Sequence, residues 1–175
     1  MKMAGDKIRI FISSVQKELQ KERQAIKDFV SGDPLCRRFF DVFLLEDFPA
    51  TDRRSETVYL DAVGKCDIYI WLLGNEYGAA GTRGSSPVEQ EFDRATKLKK
   101  FRLIFIKGDD DKSRHPNVQR LIHKAGGELV RRRFSDIPEL TAQLYASIVQ
   151  YLEDHGKLHT LPFDADACRS ATLKD

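Results

Sequence analysis

Short, strongly apolar runs alternate along this chain with longer segments whose apolar positions recur at helical spacing. The first run, Lys7-Ile-Arg-Ile-Phe-Ile-Ser-Ser14, is β-branched and aromatic and stops at two serines. From Val15 the period changes. Val15, Leu19, Glu22, Ile26, Phe29 and Val30 share one helical face with a single charged interruption, and Ser31-Gly-Asp-Pro34 supplies the stop. A second strand is expected over Asp41–Leu45, then a loop, Glu46–Arg54, then a helix from Ser55 to about Lys65 with Val58, Ala62 and Val63 inward. Asp67–Leu73 is nearly continuous in apolar residues, the mark of a central strand covered on both faces. A glycine-rich loop, Gly74–Gly84, leads to a helix that Ser85-Ser-Pro87 would cap and start and that runs to Lys100. A strand, Phe101–Ile106, a charged loop and a short helix from about Pro116 to Lys124 follow. Gly126-Gly127 ends that helix before a strand, Glu128–Phe134. The last helix, Ile137–Glu153, carries Leu140, Leu144, Ile148, Tyr151 and Leu152 on one stripe.

Five strands alternating with five helices imply a parallel sheet with helical crossovers, because parallel neighbours cannot be joined by tight turns. The common five-strand solution has the order 2-1-3-4-5, a flavodoxin-like three-layer α/β sandwich whose switch point lies between strands one and three. Those strands end at Ser13-Ser14 and Gly74-Asn75, so the expected ligand crevice has two hydroxyls on one side and a glycine loop on the other. Ser14 or its neighbour also suits the cap of the first helix, and the serines alone do not decide between capping and ligand contact.

Composition narrows the function classes. At 175 residues one domain is expected, over about 1–156, with 157–175 as an aperiodic tail or linker. Charges nearly balance, 29 basic against 27 acidic, so nucleic acid is not an expected partner. No apolar run reaches the roughly 20 residues of a membrane span, and the N-terminus lacks the apolar core of a signal peptide. Three scattered cysteines, Cys36, Cys66 and Cys168, fit a reducing cytoplasm and make neither a disulfide framework nor a metal site. His155 and His159 have metal spacing, but Gly156 lies between them and no cysteine is near. Arg131-Arg-Arg133 reads as a solvated edge strand and Asp109-Asp-Asp111 as a charged turn. The glycine loop contains neither a dinucleotide fingerprint nor a phosphate-loop motif. On the third helix Glu89 and Glu91 diverge by about 200° and cannot both face the crevice. Glu91, beside Phe92, better fits the cleft edge, although a helix N-terminus favours either carboxylate.

Four motifs then carry a resemblance: Arg9-Ile-Phe-Ile-Ser-Ser14, Glu46-x-Phe48-Pro-Ala50, Cys66-Asp-Ile-Tyr-Ile-Trp-Leu-Leu-Gly-Asn-Glu-Tyr-Gly78 and Ser86-Pro-Val-Glu-Gln-Glu-Phe92. Over residues 7–153 the chain resembles the domain of unknown function 4062 family, distant relatives of the TIR (Toll/interleukin-1 receptor) domains. The resemblance implies a TIR-like fold directed at a small nucleotide. NAD would be a substrate, not a permanently bound cofactor, and its nicotinamide–ribose bond would be cleaved in a bacterial defence or signalling setting. It carries Glu91 over as the catalytic carboxylate, with Glu89 at a second recurrent family position. Ser13, Ser14, Gly74, Asn75, Gly78 and Ser86 would line the ribose and phosphates, and Phe48 or Tyr77 would stack on a base. Self-association through Glu46–Arg54 is a further expectation. The alternative is a non-catalytic sensing or assembly module fused to an ATPase or an AlbA/Schlafen-type region, since such folds host both roles.

Overall fold

A computed structural model describes residues 7–49, 52, 55–79 and 84–158. Its strands are β1 (Ile8–Ser13), β2 (Phe40–Phe43), β3 (Ile68–Leu73), β4 (Phe101–Lys107) and β5 (Arg131–Phe134). Its helices are α1 (Gln20–Gly32), α2 (Cys36–Phe39), α3 (Ser55–Lys65), α4 (Pro87–Lys97), α5 (Pro116–Gly126) and α6 (Ile137–Asp154). All pairings are parallel and the sheet order is β2-β1-β3-β4-β5, the doubly wound order the alternation of elements implies.

Every residue of β3 is buried, because it lies between β1 and β4 and is covered on both faces. Side chains alternate across it. Tyr69, Trp71 and Leu73 join Phe11 of β1, Ala62 and Val63 of α3, Phe92 of α4 and Leu121 of α5 in one cluster. Trp71 stacks on Phe92 at 4.0 Å, and burial of a side chain such as Phe92 contributes about 1.5–3 kcal/mol. The opposite face carries Ile10, Ile12 and Ile70, and α1 lies along β2. The chain divides into two compact units, the first ending at Gln143 and the second beginning at Leu144. In the second unit Leu144, Ile148 and Leu152 are buried, and Tyr151 stacks on His155 at 4.0 Å.

Several boundaries differ from the sequence expectation. The first helix starts at Gln20, not Val15, so Ser14 caps nothing; Leu19 stands at the cap without a side-chain bond. Residues 14–19 instead form a loop whose Glu18 side chain reaches the backbone of Asn75 and Glu76 after β3. A sixth helix, the short α2, follows the Gly-Asp-Pro stop because Asp33 Oδ1 accepts from the backbone N–H groups of Leu35 and Cys36. The second strand closes at Phe43, and a single 3-10 turn, Leu45–Asp47, occupies the start of the expected loop. α4 stops at Lys97, shortly before Lys99 turns to a left-handed φ of 52°. β5 begins only at Arg131, leaving Val130 exposed.

Candidate active site

A cavity of about 680 Å³ opens at the carboxyl ends of β1 and β3, walled by Ser14, Lys17, Phe48, Tyr59, Gly78 and Glu91 among others. It occupies the switch point of the sheet, where strand ends and helix starts converge. α4 carries Glu89 and Glu91, of which Glu91 lines the cavity. Ser86 caps that helix, its Oγ accepting from the backbone N–H of Glu89 at 3.3 Å, and Pro87 fills the first turn. The cap fixes the helix phase, and the two glutamates then point different ways.

Glu89 turns toward α5 and the glycine loop. It accepts a hydrogen bond from the Tyr77 hydroxyl, and Arg120 Nη2 donates to both its oxygens at 2.9 Å. Burial pushes its carboxyl upward, but those donors outweigh burial and hold it below the usual carboxylate range. Glu91 turns into the cavity. It is 3% exposed and makes no ion pair among the described residues. Burial pushes its carboxyl up to about 7, against the lowering influence of the Ser13 hydroxyl and the Arg23 charge. The buried Ser13 hydroxyl acts on both Glu91 and Tyr69, and Trp71 Nε1 is a buried donor without a hydrogen-bond partner among the described residues. Burial also raises the Tyr69 hydroxyl, with the Glu91 charge adding to it. The result is a buried carboxyl poised near neutral pH in a cavity whose walls also carry Lys17 and Glu76.

The sequence of residues 9–149 matches the family described as Domain of unknown function (DUF4062). The chain belongs to the DUF4062 family. A search of curated proteins gives no match. Among solved structures, the TIR domains of the activated Roq1 resistosome are similar at a TM-score of 0.55 and 10% identity, covering 81% of this chain and 99% of that one. The CMP N-glycosidase BcmB of Clostridium botulinum is similar at a TM-score of 0.50 and 14% identity, covering 78% and 98%. Identities this low show the fold, which is TIR-like.

Of the residues singled out in this DUF4062 domain, Glu91, Ser14, Phe48 and Gly78 line the cavity, Gly78 with a φ of 80°. Ser13 lies buried beneath it, while Glu89, Gly74, Asn75, Tyr77 and Ser86 do not line it. Tyr77 cannot stack on a base: its ring is buried against His115, with centroids 5.4 Å apart, and its hydroxyl binds Glu89 and receives the Ser86 N–H. The Ser86 hydroxyl serves its own helix. Gly74 and Asn75 face Glu18 and Arg114. The Glu18 carboxylate accepts from the backbone N–H groups of Asn75 at 2.5 Å and Glu76 at 3.0 Å, and Arg114 Nη1 donates to the Gly74 carbonyl at 2.6 Å.

Sequence reasoning passed over Glu18, Arg23 and Arg114. Arg23 is buried, binds Glu46 through Nε and Nη2, and binds Ile12 O and Ser14 Oγ through Nη1. The only signal was adjacent Glu22 and Arg23 inside an apolar helical face; Glu22 pairs with Lys107 at 2.5 Å. The Asp111 carboxylate accepts from Arg114 and Arg133, so part of the acidic turn binds the chain's own arginines. Cys36 and Cys66 are buried, their thiols pushed to about 12 chiefly by burial. Arg53, Arg54, His159 and Cys168 lie outside the described residues. No helix among the described residues is long and apolar enough to cross a membrane.

Proposed function

We propose that this domain hydrolyses the N-glycosidic bond of a nucleotide, with the nicotinamide–ribose bond of NAD as the first substrate to test. The observation that carries the reading is Glu91, a carboxyl at about 7 that lines the cavity and makes no ion pair among the described residues. In NAD the C1′–N bond breaks with its electron pair going to the ring nitrogen, so nicotinamide leaves neutral and needs little acid assistance. The ribose carbon becomes oxocarbenium-like, and a buried negative charge beside it stabilises that state more than the ground state. Water then bonds to C1′, and its proton passes to Glu91 or solvent. The ionised form is the useful one here, so turnover should rise with pH through about 7. Phe48, exposed at the cavity rim, offers a ring for a base. The shared fold with a protein titled CMP N-glycosidase supports the reaction class, though not the substrate.

The test is incubation of concentrated protein with NAD, and separately with CMP, followed by chromatography for free base. Base release that Glu91→Gln abolishes supports the reading and identifies the substrate. No release from either, at high protein concentration and under crowding, favours a sensing or assembly module.

A further inference from the structure

A buried arginine is costly unless its donors are matched, and Arg23, 1% exposed, makes four hydrogen bonds, all toward one end of the site. Its Nε and Nη2 donate to the two oxygens of Glu46 at 3.0 and 2.6 Å. Its Nη1 donates to the Ile12 carbonyl at 3.0 Å and to Ser14 Oγ at 3.2 Å. Ile12 and Ser14 flank Ser13, whose hydroxyl bears on Glu91 from the opposite face of β1. One guanidinium on α1 thus grips the strand end on both sides of the residue beneath Glu91.

Resting on the glycosidase reading, we infer that Arg23 is a positioning residue of this site. It turns the Ser14 hydroxyl into a donor toward the cavity and fixes a buried positive charge at the strand end that Ser14 and Glu91 border.

The first half follows from donor chemistry. Arginine only donates, so Ser14 Oγ must accept from it, and the serine's own proton is directed away, toward the cavity Ser14 lines. Ser14 therefore presents an O–H to a ligand oxygen such as a ribose hydroxyl or phosphate. The second half follows from unequal screening. The Glu46 side chain is 41% exposed while that of Arg23 is enclosed, so water damps the negative partner more than the positive one. The other groups facing this pair are Ser13, Tyr69 and Tyr59 around Glu91, Lys17 and Glu76 on the cavity walls, and Asp47 beside Arg23. None of them changes in the variants below.

The experiment is a carbon-13 NMR titration of glutamate side-chain carboxyls, with the Glu91 signal assigned by its loss in Glu91→Gln. Arg23→Met should raise the Glu91 midpoint by about half a pH unit or more, and Glu46→Gln, which removes the opposing charge, should lower it. Arg23→Lys keeps the charge and should leave the midpoint near that of the wild type. Glu46 is partly exposed, so Glu46→Gln remains informative where Arg23→Met fails to fold. Shifts of opposite sign support the inference. An unmoved midpoint, or shifts of one sign, overturns it. The titration needs no turnover. Opposite shifts without base release from NAD or CMP would sink the glycosidase reading and leave the electrostatic role standing, while base release with unmoved midpoints would do the reverse.

Discussion

Replacing Glu91 with glutamine should make the protein more stable at alkaline pH while removing its chemistry. The ordinary glutamate value is 4.5, and burial raises the folded value to about 7. At 1.36 kcal/mol per unit, the ionised carboxylate costs the folded state about 3 kcal/mol. The folded protein holds this proton more tightly than the unfolded chain does. Its stability is therefore complete below about 4.5 and declines as pH rises through about 7. Glutamine cannot ionise and escapes that decline. Glu91→Gln should match the wild type within about 1 kcal/mol at pH 4, since one polar group replaces another. By pH 8 it should exceed the wild type by up to about 3 kcal/mol. Urea unfolding followed through the single tryptophan, Trp71, reads this directly, because that indole is buried in the core stacked on Phe92. Taking the difference between the two proteins cancels every other titrating group they share. Turnover of any substrate should fall by about 10²–10³ in the same variant. A variant less stable than the wild type at pH 8, or a difference independent of pH, would refute the reasoning.

Glu89→Gln should behave oppositely: a loss of about 1.5–3 kcal/mol at neutral pH from the weakened Tyr77 and Arg120 bonds, with turnover much less affected than in Glu91→Gln. Its carboxyl is held low, so that stability is present above the ordinary value and lost as pH falls through the lowered one. The deficit should shrink in acid unfolding experiments. At Gly74 an added Cβ would lie 2.3 Å from the Glu18 carboxyl, so Gly74→Ala must expel that carboxylate from the Asn75 and Glu76 amides. Gly74→Ala and Glu18→Ala should each cost about 1–2 kcal/mol, and the double variant no more than the worse single one; additive losses in thermal unfolding would show the two are uncoupled. Phe48→Ala should raise KM for a nucleotide while changing stability by less than about 1 kcal/mol, because the ring is 38% exposed.

The sheet was legible because its signals are local. The unbroken apolar run of β3 and the switch from strand to helical period after β1 are properties of consecutive residues, and parallel connection rules leave little choice of order. The phase of α4 was legible for the same reason. Ser86 and Pro87 fix where the helix begins, and helix geometry then separates Glu89 from Glu91. Pairings between distant segments were not legible. Glu18 reaches residues 57 and 58 positions away and Arg23 reaches Glu46 across 23, distances over which sequence pattern carries no register. These pairings also explain the misplaced start of α1. Residues 15–19 have helical spacing, but the loop they form puts the Glu18 carboxylate on the β3 loop, which a helix beginning at Val15 was never asked to do. Glu91 shows the same divide in one side chain. From sequence it is a carboxylate in the early turns of a helix, worth a modest dipole contribution. Its charge becomes costly only once α3, the β2 loop and the ends of β1 and β3 enclose it. The property that recommends it for chemistry belongs to the cavity, not to the helix that carries it.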